Sequence, residues 1–418
     1  MVSDKINAAT DTKRVMASIN YGFVSGGQRI TPTTLGDLSL KEIILAESLL
    51  TPGLQTSVKF QSYIHTSNEN ATDVKNFDQL KNSEIDIVIN RPILNDFDYP
   101  DTLRLRQRVY RLSGRKMNTT SIEEFTISAC HDTLLNDAKS LVTKSWKCAS
   151  PSTVVQDVLT QCAGVSSSRL DVESTSVVRS YIADNIHPFQ VVAEQANVAL
   201  AEGDDPSFIH YMTYENGGMH KFKSLKSLIK QAPIGTFYFA EGGQYPNPNA
   251  IMSYNFPCDF DLLSDLLNGI DEKGNEINSI AVVNPFSGQW SLFGNQVNEC
   301  GIGGGNIIHT FTNQQSGQEH DMCDSGVEKY RLRRQARMNL LEQDKIALRI
   351  IVPWNPIFNA GKTIDVKLFL KSGTKNTTPL YGSGKYLIAS LVHNIKNGGY
   401  STTTLDCISE TSAKSGAV

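Results

Sequence analysis

Cysteine is scarce in this sequence and follows no pattern. The chain has seven cysteines, an odd number, with no Cys-x-x-Cys pair and no short regular spacing. A disulfide framework would need an even set of cysteines in a small secreted chain. We therefore expect most of these cysteines to be small, buried apolar residues.

Long apolar runs and one-sided charge are also missing. No run approaches the roughly 20 residues that span a bilayer. The first residues, MVSDKINAATDTKRVMASIN, lack the apolar centre of a signal peptide. The net charge of −4 provides no global basic field that would recruit nucleic acid. We expect a soluble protein that is made and kept in a cytoplasm.

Sequence signatures of catalysis and phosphate binding are absent as well. The chain contains no GxSxG and no HExxH motif. The stretch Gly382–Lys385 looks like the end of a phosphate-binding loop, but position 379 is Pro instead of Gly, and Tyr386 follows where Ser or Thr should stand. The glycine-rich stretch 301–306 ends in Asn306 instead of the last Gly of GxGxxG. Both stretches are predicted to be loops.

Scattered polar residues that could serve chemistry have simpler explanations. Three potential metal ligands, whose spacing differs from that of structural zinc sites, fit a polar loop better: His309, His320 and Cys323. Two carboxylate pairs fit helix starts or turns: Asp259/Asp261 and Asp204/Asp205. Three histidines in or beside predicted elements are interpreted as structural: His131, His187 and His393. The sequence therefore predicts no catalytic, cofactor-binding or metal-binding residue.

Strand signals dominate residues 35–135. Apolar and polar residues alternate in IDIVIN (85–90), TLRLRQRVY (102–110) and EFTISAC (124–130). Alternation with one polar face predicts antiparallel strands that bury one side.

Helix signals appear in the middle of the chain. Ser150 before Pro151 is typical of an N-cap and first helical turn, and HPFQVVAEQANVALAEG (187–203) repeats this pattern. The stretch 208–222 predicts a hairpin that turns at Asn216-Gly217-Gly218, with a short helix after it. Helices are also predicted over 258–270 and 326–345.

The end of the chain echoes the first part. YLIASLVHNI predicts a strand, the glycines near 396–399 predict a turn, and YSTTTLDCIS predicts a second strand. This hairpin (386–407) and residues 110–130 share one order: aromatic residue, strand, polar turn, aromatic residue, then an alternating strand that ends in Cys. The echo suggests two similar β units.

The fold class predicted from these patterns is α+β and predominantly antiparallel β, with two similar β-barrel domains and an inserted α/β region. The predicted parts are an N-terminal arm (1–34), a first barrel (35–135), a helix-rich α/β region (136–239), a second barrel (240–293 and 344–412), and a loop insertion with a connecting helix (294–343).

Two groups of arginines allow more than one interpretation. Arg104, Arg106 and Arg108 alternate with apolar residues and so share one strand face. A second group crowds one predicted helix: Arg331, Arg333, Arg334 and Arg337. A solvated face with local ion pairs is the simpler explanation. The alternative is docking on an acidic partner or a neighbouring subunit, since guanidinium groups bind carboxylates through two hydrogen bonds. We predict such an interface at residues 104, 106 and 108.

Three stretches, in this order, resemble one protein family. The first contains Phe208, Tyr211, Tyr214, Gly218, Phe222, Ser224 and Leu225; the second contains Ala360, Gly361, Lys362, Ile364 and Val366; the third contains Gly384, Lys385, Tyr386, Leu387, Ile388, Val392, His393 and Tyr400. Over roughly residues 35–412 the chain resembles the baseplate hub proteins of contractile phage tails, whose fold is shared by the front part of VgrG spikes.

The resemblance implies a structural role and no enzymatic residue. Two similar barrels per subunit would give a homotrimeric ring pseudo-sixfold symmetry, which joins the sixfold tail tube to the threefold central spike. The implied partners are the central spike protein, the tail tube initiator protein, inner baseplate proteins and, optionally, the tape-measure protein. Genome DNA would pass through the ring lumen without specific binding. The implied location is the tail baseplate of the virion, after assembly in the host cytoplasm, and no cofactor is implied.

Two other functions stay open at this point. One is a tail-tip peptidoglycan hydrolase, which a carboxyl group with a strongly raised pKa in a cleft would favour. The other is a β module that binds carbohydrate or protein.

Overall fold

The fold is built on one large β-sheet. The computed structural model describes residues 18–25, 28–30, 37–63, 80, 83–90, 102–119, 122–202, 205–240, 249–257, 279–283, 290–294, 307–311, 334, 337–338, 341, 346–369, 382–397 and 399–409. Thirteen strands belong to this sheet, and all but one of their pairings are antiparallel. The predicted α+β class with predominantly antiparallel strands is confirmed.

The first part of the chain forms seven strands, which we call unit one. They are β1 (Ser18–Ser25), β2 (Gln28–Ile30), β3 (Asp37–Ser48), β4 (Gln55–Tyr63), β5 (Glu84–Asn90), β6 (Thr102–Thr119) and β7 (Ile122–Cys130). The predicted N-terminal arm enters this sheet, because β1 pairs with β5 from Ser18 to Val24. The alternation in the sequence is confirmed, since Leu103, Leu105 and Val109 are buried.

The middle of the chain forms an α/β region, which we call the insert. Its helices are α1 (Asp132–Lys139), α2 (Pro151–Gln161), α3 (Pro188–Val198) and α4 (Leu225–Lys230), with single 3₁₀ turns at Ser167–Arg169 and Glu215–Gly217. Its strands are β8 (Val142–Ala149), β9 (Leu170–Val172), β10 (Arg179–Ile186), β11 (Phe208–Thr213) and β12 (Met219–Ser224).

The start of α2 and the β11–β12 hairpin form where the sequence predicts them. The Ser150 side chain accepts a hydrogen bond from the backbone N–H of Thr153, and Pro151 occupies the first turn of α2, as an N-cap and a pre-set φ angle require. β11 and β12 form the predicted hairpin, and Asn216, Gly217 and Gly218 all have positive φ in its turn.

The last part of the chain contains unit two and a small separate sheet. Unit two consists of β13 (Thr236–Ala240), β14 (Ser253–Asn255), β18 (Leu348–Pro353), β19 (Thr363–Phe369), β20 (Gly384–Lys396) and β21 (Thr402–Ile408). The small sheet contains β15 (Ser279–Val283), β16 (Trp290–Gly294) and β17 (Ile307–Phe311). β17 lies within the predicted loop insertion, where its short apolar run was too brief to distinguish from a loop.

Units one and two share one order of strand pairing. In unit one the order is β1-β5-β6-β7-β4-β3, and in unit two it is β13-β19-β20-β21-β18-β14. When the six strands in each order are numbered along the chain, leaving out the edge strand β2, both units have the pairing order 1-4-5-6-3-2. The β6–β7 and β20–β21 hairpins also share a register shift close to Cys130 and Cys407. The units differ at one edge, since β13 runs parallel to β19 whereas β1 runs antiparallel to β5.

The two predicted barrels are not seen as closed barrels in the described residues. β3 pairs with β20 over seven residue pairs, so the edge of unit one that closure would use instead joins unit two. This pairing satisfies the backbone groups of an edge strand as closure would. The result is one continuous sheet along the path from β14 to β2.

Tyrosine and tryptophan side chains from other parts of the chain complete the core of unit one. Tyr214 of the insert and Trp354 of unit two are each 2% exposed within a cluster that includes Phe60 and Phe125. Burial of a large apolar side chain stabilises a fold by about 1.5–3 kcal/mol. The three parts therefore share a core instead of meeting only at their surfaces.

Several predictions about the rest of the chain have mixed outcomes. Cys130 and Cys407 are buried and free, as predicted for most of the cysteines, whereas Cys148 is exposed and disulfide-bonded. The predicted helix over 258–270 lies outside the described residues, as does most of 326–345. Among the helices that the structure describes, none has the length and apolar character needed to cross a membrane.

Candidate functional site

A cleft of about 870 Å³ lies where unit one, the insert and unit two meet. Its walls come from strands β5 and β6, the start of α1, the 3₁₀ turn at Ser167–Arg169, the β11–β12 turn and the loop between β18 and β19. Its charged and histidine lining residues are Asp86, Arg104, Arg106, His131, Asp132, Arg169, Glu215 and Lys362. Clefts of this size accommodate small molecules or short peptide segments.

The three arginines of the predicted interface have different surroundings, although all three project from the polar face of β6. Arg106 pairs with Glu84 of β5, at 2.5 Å for the closest nitrogen–oxygen contact. Arg108 pairs with Glu84 at 3.2 Å and with Asp132 at 2.9 Å. The hydrogen bond to Asp132 is the main reason that the pKa of Arg108 is raised. Arg104 is exposed, lines the cleft, and makes no ion pair within the described part of the chain.

Arg169 is a cleft residue that sequence reasoning missed. It ends a short serine-rich 3₁₀ turn, is exposed, and has no ion-pair partner among the residues that the structure describes. A side chain at Gly217 would begin 3.9 Å from a guanidinium nitrogen of Arg169 and 3.8 Å from the carbonyl oxygen of Arg104. Gly217 therefore lies next to both the Arg104 backbone and the Arg169 side chain.

One arginine of the second group, Arg334, serves the fold. Arg334 donates hydrogen bonds to the carbonyl oxygens of Pro206 and Phe208, at 2.8 and 2.9 Å. Burial lowers its pKa to about 10. Arg331 and Arg333 lie outside the described residues, so the predicted basic helix face is not seen as a whole.

Glu47 ties the three parts of the molecule together at one carboxyl group. It lies on β3, is 3% exposed, and accepts hydrogen bonds from the backbone N–H groups of Tyr214 at 2.6 Å and Ala360 at 2.7 Å. Burial raises its pKa to about 8, and the two backbone hydrogen bonds oppose this rise. Sequence reasoning missed Glu47, although it occupies the buried phase of β3 with Ile43 and Leu45.

A small network of ion pairs lies close to Glu47. Lys221, which is almost fully buried, pairs with Glu215 at 2.6 Å, and Lys362 approaches Glu215 at 3.6 Å. These lysines lower the pKa of Glu215 against the opposing effect of burial. Glu215 is therefore neutralised by cations from the insert and from unit two.

Three histidines and one threonine form a buried hydrogen-bonded chain beside the cleft. His131 Nδ1 lies 2.9 Å from Thr133 Oγ1, which lies 3.1 Å from His220 Nε2, and His220 Nδ1 lies 3.1 Å from His210 Nε2. Burial lowers the pKa of His210 to about 3 and that of His220 well below its usual value. These imidazoles are neutral at physiological pH and serve as hydrogen-bond donors and acceptors.

The other histidines interpreted as structural also have partners. His187 Nδ1 lies 2.9 Å from the carbonyl oxygen of Asp137, and His393 Nδ1 lies 2.8 Å from Thr403 Oγ1. In the part of the chain that the structure describes, no three His, Cys, Asp or Glu side chains are grouped to hold a metal ion. Of the potential metal ligands, His309 lies on β17, and His320 and Cys323 fall outside the described residues. Of the two carboxylate pairs, Asp259, Asp261 and Asp204 also fall outside, and Asp205 accepts a hydrogen bond from Ser207.

The former phosphate-loop candidate is the entry to the β20–β21 hairpin. The Ser383 hydroxyl accepts a hydrogen bond from the backbone N–H of Leu368, and Lys385 donates to the carbonyl oxygen of Ile229. Both groups are therefore used in holding β20 against its neighbours.

Comparison with solved structures relates this architecture to tail proteins. The tail protein from Neisseria meningitidis MC58 superposes with a TM-score of 0.52 at 8% identity, over 94% of this chain and 97% of that one. The 43 kDa tail protein of prophage MuSo2 from Shewanella oneidensis superposes with a TM-score of 0.51 at 8% identity, over 93% and 97%. This chain has the fold of these tail proteins.

One further structure is less similar, and the sequence comparisons find no match. An E. coli component of the type VI secretion system superposes with a TM-score of 0.46 at 8% identity, over 91% of this chain and 76% of that one. No protein-family model and no curated protein matches the chain. The likeness is therefore one of fold, and it extends along nearly the whole length of both tail proteins.

Proposed function

We propose that this chain is a structural subunit of a contractile phage tail, and that it forms the hub ring of the baseplate. Three copies would close a ring that joins the sixfold tail tube to the threefold central spike. The tube initiator protein, inner baseplate proteins and tape-measure protein are the other partners in this proposal, and its location is the virion tail. Genome DNA would cross the lumen without specific contacts.

The repeated pairing order of the two units is the observation that best supports this proposal. Each chain contributes two β units with the same order of strands. Three chains around an axis therefore supply six similar units, which match a sixfold partner, while the differences between units keep a threefold pattern. The fold shared with two tail proteins over nearly their full length supports the same proposal.

Native mass spectrometry of the purified chain, together with imaging of tails, tests the proposal. We expect a trimer in solution and, in tails that contain the chain, a threefold ring with six similar lobes beside the tube. A chain that stays monomeric at every concentration and is missing from purified tails would contradict the proposal.

The proposal assigns no catalytic step to the chain. Glu47 has the raised pKa that a hydrolase acid would need, but its two oxygens already accept backbone hydrogen bonds and its side chain is buried. A general acid must reach the leaving group of its substrate. We expect the purified chain to leave peptidoglycan intact; clearing of cell walls that is lost in Glu47→Gln would favour the hydrolase instead.

A further inference from the structure

The charges that line the cleft are unevenly compensated. Two of its three carboxylates have cationic partners outside the lining: Asp132 pairs with Arg108, and Glu215 pairs with Lys221. Arg106 is compensated in turn by Glu84. Within the described residues, three charged groups of the cleft therefore make no ion pair. Two are cations, Arg104 and Arg169, and one is the carboxylate of Asp86.

The two uncompensated guanidinium groups belong to different parts of the fold. Arg104 is held by the register of β6 against Val88 of β5, and Arg169 is held by the 3₁₀ turn before β9. Gly217 lies beside the guanidinium group of Arg169 and the backbone carbonyl group of Arg104. A guanidinium group presents a planar set of N–H donors that fits a carboxylate with two parallel hydrogen bonds. Two such groups that line one cleft fit a ligand with two carboxylates.

We propose that this cleft binds an acidic peptide segment of a partner protein, with Arg104 and Arg169 each receiving a carboxylate. The volume of about 870 Å³ suits several peptide residues, whereas one inorganic anion would fill only a small part of it. Apolar side chains also line the cleft, including Ile234 and Ile357, and can contact the stems of peptide side chains. Asp86 opposes the acidic segment.

This inference goes beyond the proposed function, since it concerns a ligand of the isolated chain and makes no use of the ring. It also narrows the predicted interface. Of the three predicted interface residues, Arg104 is the one available to a partner carboxylate, because Arg106 and Arg108 already bind Glu84.

Fluorescence anisotropy at low ionic strength tests the proposal directly. The probe is a fluorescein-labelled peptide of alternating Glu and Ser, and the neutral comparison is the matching Gln–Ser peptide. We expect Arg104→Ser and Arg169→Ser each to weaken binding of the acidic peptide by about tenfold, which corresponds to about 1.4 kcal/mol. Asp86→Asn should tighten binding, because it removes the opposing carboxylate.

Arg111→Ser is the matched control. It removes one exposed arginine from the same strand at a position outside the cleft lining. We expect it to leave the affinity unchanged, and circular dichroism should show that all four variants stay folded. Equal weakening by Arg111→Ser would show nonspecific attraction, and absence of binding by the unchanged chain would refute the proposal. Displacement of the peptide by inorganic phosphate as readily as by unlabelled peptide would show a small-anion site and would also refute it.

Discussion

Replacement of Glu47 by Gln should change how the stability of this protein depends on pH. The folded-state pKa of about 8 lies above the ordinary value of 4.5. Between these values the folded chain holds a proton that the unfolded chain releases, so stability falls as pH rises through this window and is constant above it. At 1.36 kcal/mol per pH unit the full effect is at most roughly 5 kcal/mol.

Glutamine removes this dependence but weakens one contact. Its side chain has a single acceptor oxygen, so it can serve the N–H of Tyr214 or that of Ala360 but not both. A buried N–H without an acceptor costs about 1–3 kcal/mol. We therefore expect Glu47→Gln to be less stable than the unchanged chain near pH 5, and the difference to shrink or reverse near pH 9.

Thermal unfolding from pH 5 to pH 9, followed by calorimetry, measures this difference. Other titrating groups are common to both chains, so the gap between the two curves isolates Glu47. Glu42→Gln is the control, since Glu42 lies on the same strand in a partly exposed position. Parallel curves for Glu47→Gln and the unchanged chain would show that this carboxyl group is ionised at low pH, which would refute the reasoning from burial.

Three further substitutions test the local arguments. Gly361→Ala should destabilise the fold by at least about 2 kcal/mol, because its φ is +81° and the new Cβ would meet the Tyr211 hydroxyl; adding Tyr211→Phe should recover part of the loss in a melting experiment. Ser150→Ala should cost about 1 kcal/mol in urea unfolding, whereas Ser150→Asp should cost little, because only the latter keeps an N-cap acceptor for α2. Burial lowers the folded-state pKa of His393 to about 3, so the unfolded chain binds the extra proton between pH 3 and 6.5, and stability falls with acid in that window. His393→Gln should flatten this acid limb of the stability curve.

The alternation of apolar and polar residues, together with the residues that start helices and form turns, made part of the fold predictable. Alternation in TLRLRQRVY gives the buried face of β6, and Ser150 with Pro151 gives the start of α2. These are local signals, and each depends only on neighbouring residues. The pairing of β3 with β20 joins residues more than 300 positions apart, and no local pattern specifies such a partner. Closed barrels were expected because closure hides the edges of a curled sheet, whereas in the described residues the edge of β3 is covered by β20.

The candidate site was harder to predict than the fold. Arg104 was found because it alternates on a strand, but its difference from Arg106 and Arg108 depends on Glu84 and Asp132, which belong to other elements. Arg169 follows a serine-rich turn that has no distinctive pattern. Glu47 did leave a signal, since a charged residue in the apolar phase of a strand must find buried partners.

Several residues of the family resemblance make contacts between the insert and the two units. Tyr214 and Ala360 come from two different stretches of the resemblance, and both donate their backbone N–H groups to Glu47. Gly361 permits the close approach of Tyr211, which a side chain would block. Four residues of the resemblance therefore lie where the insert joins the two units.

Strand β3 takes part in both connections, the one between units one and two and the one to the insert. One of its edges pairs with β20 and joins the units, while its buried face carries Glu47. A slip of one residue in the β3–β20 register would turn Glu47 toward solvent and would leave two buried N–H groups without an acceptor. The register between the units and the tie to the insert therefore stabilise each other. In the proposed ring, the angle between the two β units of a subunit would then be set within each chain, and contacts between subunits would only have to repeat it.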